Sequence, residues 1–140
     1  MMRVIGLGND LVNIDRIDQS ISKYGQRFID RIFTPVEQEY CDGKAARVSN
    51  YAKRFAAKEA CAKALGTGFA RGVFWRDVGV ERAEGGKPCF RLTGGALIRL
   101  QEITPGGMTA QLDLTLTDDH PWAQAVVLIT AIPLHLVDNV

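Results

Sequence analysis

An alanine-rich stretch from Lys53 to Gly68 constrains the fold of this chain more than any other segment. Alanine and leucine have high intrinsic helix propensity, so the stretch is predicted to form a helix. Gly66, directly after Leu65, is the residue type that commonly ends a helix in the left-handed conformation. We therefore expect one long helix to organise the rest of the domain.

The charged residues of this helix fall on two different faces. At helical spacing Glu59 and Lys63 share a stripe with small alanines, whereas Arg54 and Lys58 lie on the opposite side. A carboxylate with a lysine one turn later could hold a metal ion and an anionic group together. Alternatively, Glu59 and Lys63 form an exposed pair that contributes about 0.2–0.5 kcal/mol. Taken alone, the helix favours the exposed pair.

Composition limits the classes of partner. The 140 residues carry 17 Lys and Arg against 16 Asp and Glu, which gives a net charge of +1. Nothing global therefore indicates nucleic-acid binding, and any electrostatic recognition must be local. The N-terminal apolar stretch is too short for a signal peptide, and the apolar run over 125–132 is too short to span a membrane. We expect a single cytoplasmic domain.

The cysteines give no sign of a disulfide framework or a metal cluster. Cys41, Cys61 and Cys89 are widely spaced and form no C-x-x-C pair. They also form no ligand pattern with His120 or His135. A reducing compartment is the natural inference.

The N-terminal segment places an acid near a predicted strand end. Val4 to Leu7 is predicted to form a short strand, followed by Asn9 and Asp10. An acid at a strand end is accessible to a site. The local sequence also allows Asp10 to be a turn or N-cap residue of the next helix, and it favours that alternative.

A basic amphipathic helix is predicted from about Asp15 to Ile32, broken or bent near Gly25. Its polar positions include a basic stripe of Arg16, Lys23, Arg27 and Arg31, which lies beside Asp15, Asp18 and Asp30. Such a face could dock an acidic partner or could simply be solvated, and the local sequence favours the solvated face.

The remaining elements follow from turn and capping signals. Thr34, Pro35 and Glu37 form a capping box that starts a short helix ending near Asp42, and Ser49 or Asn50 could cap the long helix. The other predicted elements are a strand from Phe74 to Val80, a tight turn over 84–88, a strand from Cys89 to Leu92, a helix from about Gly95 to Ile103, a half-buried strand around Leu112 to Leu116, and a fully buried central strand from Trp122 to Ile132. The predicted fold class is α+β, with a mainly antiparallel sheet and the long helix packed on it.

Two distant motifs resemble one known family. The run Gly8-Asn9-Asp10-Leu11-Val12-Asn13-Ile14-Asp15-Arg16-Ile17 is similar to the N-terminal signature of the 4'-phosphopantetheinyl transferases. Arg54-Phe55-Ala56-Ala57-Lys58-Glu59-Ala60, with Lys63 and Leu65-Gly66-Thr67-Gly68, resembles their second signature, and Gly86-Lys87-Pro88 resembles their hairpin element. The short single-domain holo-acyl-carrier-protein synthases are the most similar branch. The resemblance extends to about Ile132 and leaves 133–140 outside. It departs from the branch's usual residues at Trp122, where tyrosine is more common, and at Thr117-Asp118, where many members have a serine or threonine followed by histidine.

The resemblance implies a reaction and a set of site residues. The expected reaction transfers 4'-phosphopantetheine from coenzyme A to a serine of apo acyl carrier protein and releases adenosine 3',5'-bisphosphate. Asp10 and Glu59 would hold Mg²⁺, or Mn²⁺, and would be catalytic together with Lys63. A metal-bound water or Glu59 would activate the serine. The coenzyme A contacts implied are Arg54, Lys63, Gly86, Lys87 and Pro88.

The resemblance also implies a homotrimer with sites between subunits, to which the opposite-face charges Arg54 and Lys58 would contribute. It further implies that the basic helix, through Arg16, Lys23, Arg27 and Arg31, binds the acidic carrier. Two other classes stay open from the residues. A coenzyme A or nucleotide-binding module without turnover would not need paired carboxylates, and a Mg²⁺-dependent pyrophosphohydrolase would not need the basic helix.

Overall fold

Two antiparallel sheets form the β-structure of residues 1–137, the part of the chain that the computed structural model describes. The three-stranded sheet has β5 (Trp122–Pro133) at its centre, with β1 (Arg3–Asn13) on one side and β4 (Met108–Asp119) on the other. The second sheet is a hairpin of β2 (Val78–Arg82) and β3 (Pro88–Leu92). The turn predicted at 84–88 connects these two strands.

Six α-helices lie in the same described range. They are α1 (Ile14–Tyr24), α2 (Gln26–Ile32), α3 (Pro35–Asp42), α4 (Arg47–Ala64), α5 (Gly94–Ile103) and α6 (Leu134–Val137), with a short 3₁₀ turn at Trp75–Asp77. The long helix α4 packs across β1 and β5, and its alanines meet the inner face of the sheet in the main core cluster. The predicted α+β fold, with antiparallel strands under one long helix, is confirmed. Within residues 1–137, no helix is both long enough and apolar enough to cross a membrane.

Helix α4 begins at Arg47, earlier than the predicted start at Lys53. Ser49 and Asn50 therefore lie inside the helix, and the prediction that one of them caps it is wrong. The cap position is Ala46, which offers no side-chain hydrogen bond. Burial of the first turns against the rest of the protein stabilises the helix where local capping does not. Its predicted end is confirmed, because Gly66 has a φ of 79°.

Strand β1 is longer than predicted and continues to Asn13. Asp10 is therefore a mid-strand residue paired with Ala125, and the prediction that it ends the strand is wrong. The N-cap of α1 is Asn13, whose side chain accepts a hydrogen bond from the Asp15 amide at 2.9 Å. Pairing along the whole of β5 extends β1 through residues that resemble a turn in isolation.

The central strand β5 is buried on one face only. Its inward residues Ala123, Ala125, Val127, Ile129 and Ala131 are buried, whereas the residues between them are partly exposed. The predicted central position is confirmed, but full burial is wrong. On the outer face, β1 exposes apolar side chains, including Leu7 at 67%.

Three local predictions are confirmed or refined. Gly25, with a φ of 59°, separates α1 from α2. Thr34 and Glu37 form the predicted capping box at the start of α3. The strand predicted from Phe74 begins at Val78, because the preceding residues form the 3₁₀ turn.

Candidate active site

A close approach between β1 and α4 builds the site. A Cβ atom at Gly8 would overlap the carbonyl oxygen of Ala60, and one at Gly6 would lie 2.5 Å from that of Ala64. Only glycine permits this separation of strand and helix. Asp10, two residues after Gly8, points to the same face of the strand and therefore toward α4.

Asp10 meets the last turn of α4 through Lys63. The Lys63 Nζ atom lies 2.9 Å from Asp10 Oδ1 and also donates to the Asn9 carbonyl oxygen at 3.1 Å. The Asp10 side chain is 16% exposed and that of Lys63 is 51% exposed. Solvent therefore reaches the Lys63 side chain on the helix more readily than the Asp10 carboxylate on the strand.

Glu59 lies one helical turn before Lys63 and is half-buried. Burial is the main reason that the pKa of Glu59 is raised above its usual range, and the negative charge of Asp10 raises that pKa further. Lys63 opposes this shift. The structure therefore brings Asp10, Glu59 and Lys63 together, with two carboxylates and one ammonium group in one place.

This set of donors suits a hard divalent cation. Mg²⁺ is usually held by one or two carboxylates together with water and substrate phosphate oxygens. Residues 1–137 contain no cluster of three or more His, Cys, Asp or Glu side chains that could form a closed metal cage. Asp10 and Glu59 are the two carboxylates of this site that could serve as such ligands.

The charged residues on the opposite side of α4, Arg54 and Lys58, are buried inside the protein. Lys58 is fully buried; its ammonium group lies 2.8 Å from Glu37 Oε1 and donates to the Val78 and Trp75 carbonyl oxygens at 2.7 and 3.1 Å. Arg54 is only 2% exposed, and its guanidinium lies 4.0 Å from the centre of the Tyr40 ring. Arg54 and Lys58 are therefore interior charges, and neither side chain is exposed for the contribution between subunits that the resemblance implied. Helix α4 is covered by the sheet on one side and by α3 and β2 on the other, so both faces are buried.

A cluster of positive charge surrounds Tyr40 close to the β2–β3 hairpin. Arg82 donates to the Tyr40 hydroxyl at 2.8 Å, and Lys44 lies 4.9 Å from the ring centre. Behind the ring, the Nε of Arg54 is buried without a hydrogen-bond partner among the described residues. Sequence reasoning missed Tyr40, Lys44 and Arg82, because neither their spacing nor their local context indicates that they converge.

The hairpin residues expected to contact coenzyme A, Gly86, Lys87 and Pro88, differ in what they can offer a ligand. Gly86 has a φ of 88°, and its N–H already donates to the Ala83 carbonyl oxygen at 2.9 Å. Gly86 therefore shapes the turn and is not a free donor. Lys87 is 71% exposed, with its Nζ 3.9 Å from Asp113 Oδ1, and Pro88 is the first residue of β3.

The basic residues of α1 and α2 are all exposed. Arg16 and Lys23 are seven positions apart and share one face of α1. Arg27 and Arg31 line a cavity with Tyr24 and Phe28. This basic surface, which also carries the exposed acids Asp15, Asp18 and Asp30, follows directly after the strand that contains Asp10.

Comparisons with known proteins identify the family of the chain. The sequence model of the 4'-phosphopantetheinyl transferase superfamily matches residues 6–124. The holo-[acyl-carrier-protein] synthase of Parvibaculum lavamentivorans is 56% identical over 93% of this chain and 98% of its own length. That of Phenylobacterium zucineum is 60% identical over 93% of this chain and 94% of its own length.

Solved structures give the same result. The holo-[acyl-carrier-protein] synthase of Neisseria meningitidis superposes with a TM-score of 0.78 at 37% identity, covering 91% of this chain and 98% of the other. The Helicobacter pylori synthase, solved in complex with coenzyme A, has a TM-score of 0.74 at 27% identity and covers 88% and 98%. The chain belongs to the 4'-phosphopantetheinyl transferase superfamily. Within it the chain groups with the holo-[acyl-carrier-protein] synthases, and it is a transferase.

Proposed function

We propose that this transferase uses Mg²⁺ to move the 4'-phosphopantetheine group of coenzyme A onto a serine of apo acyl carrier protein, releasing adenosine 3',5'-bisphosphate. The observation that carries the proposal is the convergence of Asp10, Glu59 and Lys63 where β1 meets α4. Coenzyme A complexes of the Helicobacter pylori and Bacillus anthracis relatives support it.

Asp10 and Glu59 would hold the metal ion, and Mn²⁺ has the same preference for oxygen ligands. When bound, the ion neutralises charge on the pyrophosphate oxygens, which is the main requirement of phosphoryl transfer. Lys63 would contact the same pyrophosphate through its half-exposed ammonium group. These three residues position the phosphorus atom for attack.

The chemical step replaces one phosphorus–oxygen bond with another. The serine oxygen attacks the phosphorus that carries the pantetheine, and the bond from that phosphorus to the bridging pyrophosphate oxygen breaks. Adenosine 3',5'-bisphosphate leaves with the bonding electrons, and the serine proton is lost. Glu59 or a water molecule held at this site would take that proton.

The nucleotide would lie by the hairpin. Arg82 and Lys44 provide positive charge around Tyr40, and Lys87 lies in the same hairpin as Arg82. The Nε of Arg54, which has no hydrogen-bond partner among residues 1–137, adds a donor behind the ring. Such a cluster suits a phosphate monoester like the 3'-phosphate of coenzyme A. In this arrangement Gly86 and Pro88 set the shape of the turn, and Arg54 acts from behind the Tyr40 ring.

The outer sheet face supports the homotrimer. Val4, Leu7 and Leu11 of β1 are exposed beside the partly exposed Val126 and Leu128 of β5. Several exposed apolar side chains on one sheet face are typical of a protein–protein interface. In the proposed trimer other copies of the chain cover this face, and each site lies between subunits.

The carrier would dock on the basic surface of α1 and α2. Arg16, Lys23, Arg27 and Arg31 are all available to an acidic partner. Their position just after β1 would place a docked serine near Asp10.

One assay tests the proposal against its two alternatives. The protein is incubated with coenzyme A, Mg²⁺ and apo acyl carrier protein, and the intact mass of the carrier is measured. A gain of one phosphopantetheine that EDTA abolishes is the expected result. Release of free 4'-phosphopantetheine without a carrier would instead indicate a pyrophosphohydrolase, and binding without either product would indicate a binding module.

A further inference from the structure

The cation that Asp10 binds in this structure is the side chain of Lys63. The ammonium group lies 2.9 Å from Asp10 Oδ1 and is held from a second side by the Asn9 carbonyl oxygen at 3.1 Å. Glu59, the other proposed metal ligand, is near enough for both Asp10 and Lys63 to act on its charge. The ammonium group thus pairs with Asp10 and lies within electrostatic reach of Glu59.

A divalent cation on Asp10 would compete for that position. It would need oxygen lone pairs that now accept from Lys63, and an ammonium group within a few ångströms would repel it. Lys63 is able to move, because its side chain is half-exposed and lies in the last turn of α4. An anionic pyrophosphate would attract the ammonium group away from Asp10.

We infer that Lys63 is a built-in competitor of the metal at Asp10, and that an anionic substrate relieves the competition by drawing Lys63 to itself. The inference rests on the proposed metal pair. It assigns Lys63 a second role: the metal binds weakly to the free protein, and metal and coenzyme A strengthen each other's binding. By linkage the coupling is reciprocal.

The size of the effect follows from the exposure of the pair. A half-exposed lysine–carboxylate pair is partly screened, so its removal should tighten metal binding by roughly three- to tenfold. The effect should shrink as salt is added, because the repulsion is screened as well.

The test measures Mn²⁺ binding without coenzyme A, by following the electron paramagnetic resonance signal of free Mn²⁺. Lys63→Met keeps an unbranched side chain of similar size and removes its charge. Lys53→Met is the matched control, since Lys53 is on the same helix but pairs with Asp118 at 3.1 Å. Lys63→Met should bind Mn²⁺ three- to tenfold more tightly than wild type, and Lys53→Met should not. Mg²⁺ should also raise the Tm of Lys63→Met more than that of wild type.

A second experiment repeats the Mn²⁺ binding measurement in the presence of coenzyme A. It should tighten Mn²⁺ binding to wild type by a larger factor than to Lys63→Met, which has no competitor left to remove. Equal Mn²⁺ affinity of wild type and Lys63→Met, or equal tightening by Lys53→Met, overturns the inference. Adding Asp10→Asn to Lys63→Met separates the two ideas. If the double variant binds Mn²⁺ as tightly as Lys63→Met, Asp10 is not a metal ligand and the proposed metal pair fails as well. If the double variant binds Mn²⁺ more weakly, the metal pair stands, and the comparison of wild type with Lys63→Met decides the inference alone.

Discussion

Lys58 and Glu37 form an ion pair of 2.8 Å in which neither side chain is exposed. Glu37 also accepts hydrogen bonds from the backbone amides of Thr34 and Val80, both at 2.7 Å. Together with the two carbonyl oxygens that Lys58 contacts, the pair joins α3, α4 and β2. Every polar atom of the pair is therefore satisfied, which makes it costly to break.

Breaking the pair from one side should destabilise the fold strongly. Lys58→Met leaves the Glu37 carboxylate buried without its counter-ion, and such a change costs about 3–5 kcal/mol. Adding Glu37→Gln should recover part of this loss, because no buried charge remains. Urea unfolding of the single and double variants measures the effect. A double variant less stable than Lys58→Met would contradict the account.

The close approach of β1 and α4 predicts a strong effect at Gly8. Gly8→Ala would force the strand and helix apart, and overpacking of this kind costs about 1–3 kcal/mol. It should also separate Asp10 from Lys63 and reduce transfer activity beyond the loss of stability. Gly106→Ala is the matched control, since a Cβ there meets nothing within 4 Å. Thermal unfolding and transfer rates below the Tm distinguish the two variants.

The metal pair predicts non-additive losses. Asp10→Ala and Glu59→Ala should each abolish most transfer while leaving the fold intact, and the double variant should be hardly worse, because the two carboxylates act as one unit. Lys63→Ala should instead weaken coenzyme A binding and slow transfer. Steady-state kinetics with circular dichroism as the fold control tests this. Independent, multiplying losses for Asp10 and Glu59 would argue against a shared ion.

The cysteines predict selective alkylation. Burial raises the pKa of both the Cys41 and Cys61 thiols to about 12, so they stay protonated and unreactive at pH 8. Partly exposed Cys89 should be alkylated alone in the folded protein, and all three cysteines should react after denaturation. Intact mass after iodoacetamide counts the adducts, and two or three adducts on the native protein would contradict the burial.

The same shifts give a pH dependence of stability. Between the ordinary thiol pKa of 9.0 and the folded value of about 12, the unfolded chain loses protons that the folded chain keeps. The unfolded state therefore binds fewer protons in this window, and the free energy of unfolding falls as pH rises through it. Cys61→Ala should weaken this slope between pH 9 and 12 in urea-unfolding experiments.

The basic surface predicts an effect specific to the carrier. Arg16→Glu or Arg27→Glu should raise the KM for acyl carrier protein far more than the KM for coenzyme A, because surface charges act on encounter and specificity. Added salt should weaken carrier affinity in wild type and less so in the variants. Arg91→Glu, an exposed charge on β3, is the control. Unchanged carrier KM in both variants, with stability preserved, would mean that α1 and α2 form only a solvated face.

Local signals in the sequence determined several elements of the fold. The alanine-rich helix and its end at Gly66, the capping box of Thr34 and Glu37, and the break at Gly25 each depend on residues within a few positions of one another. The helix, capping and break predictions needed no knowledge of how the elements pack. Only the resemblance of the motifs around Asp10 and Glu59 to a known family predicted that these residues share a site.

Only the tertiary structure decided the rest. Pairing with β5 extends β1 past Asp10, and packing on both faces of α4 turns Arg54 and Lys58 into interior charges. The Lys63–Asp10 contact and the charges around Tyr40 likewise join residues far apart in the chain. Burial and long-range contact depend on the whole fold, and helical periodicity cannot distinguish a charged face that meets water from one that meets a buried partner.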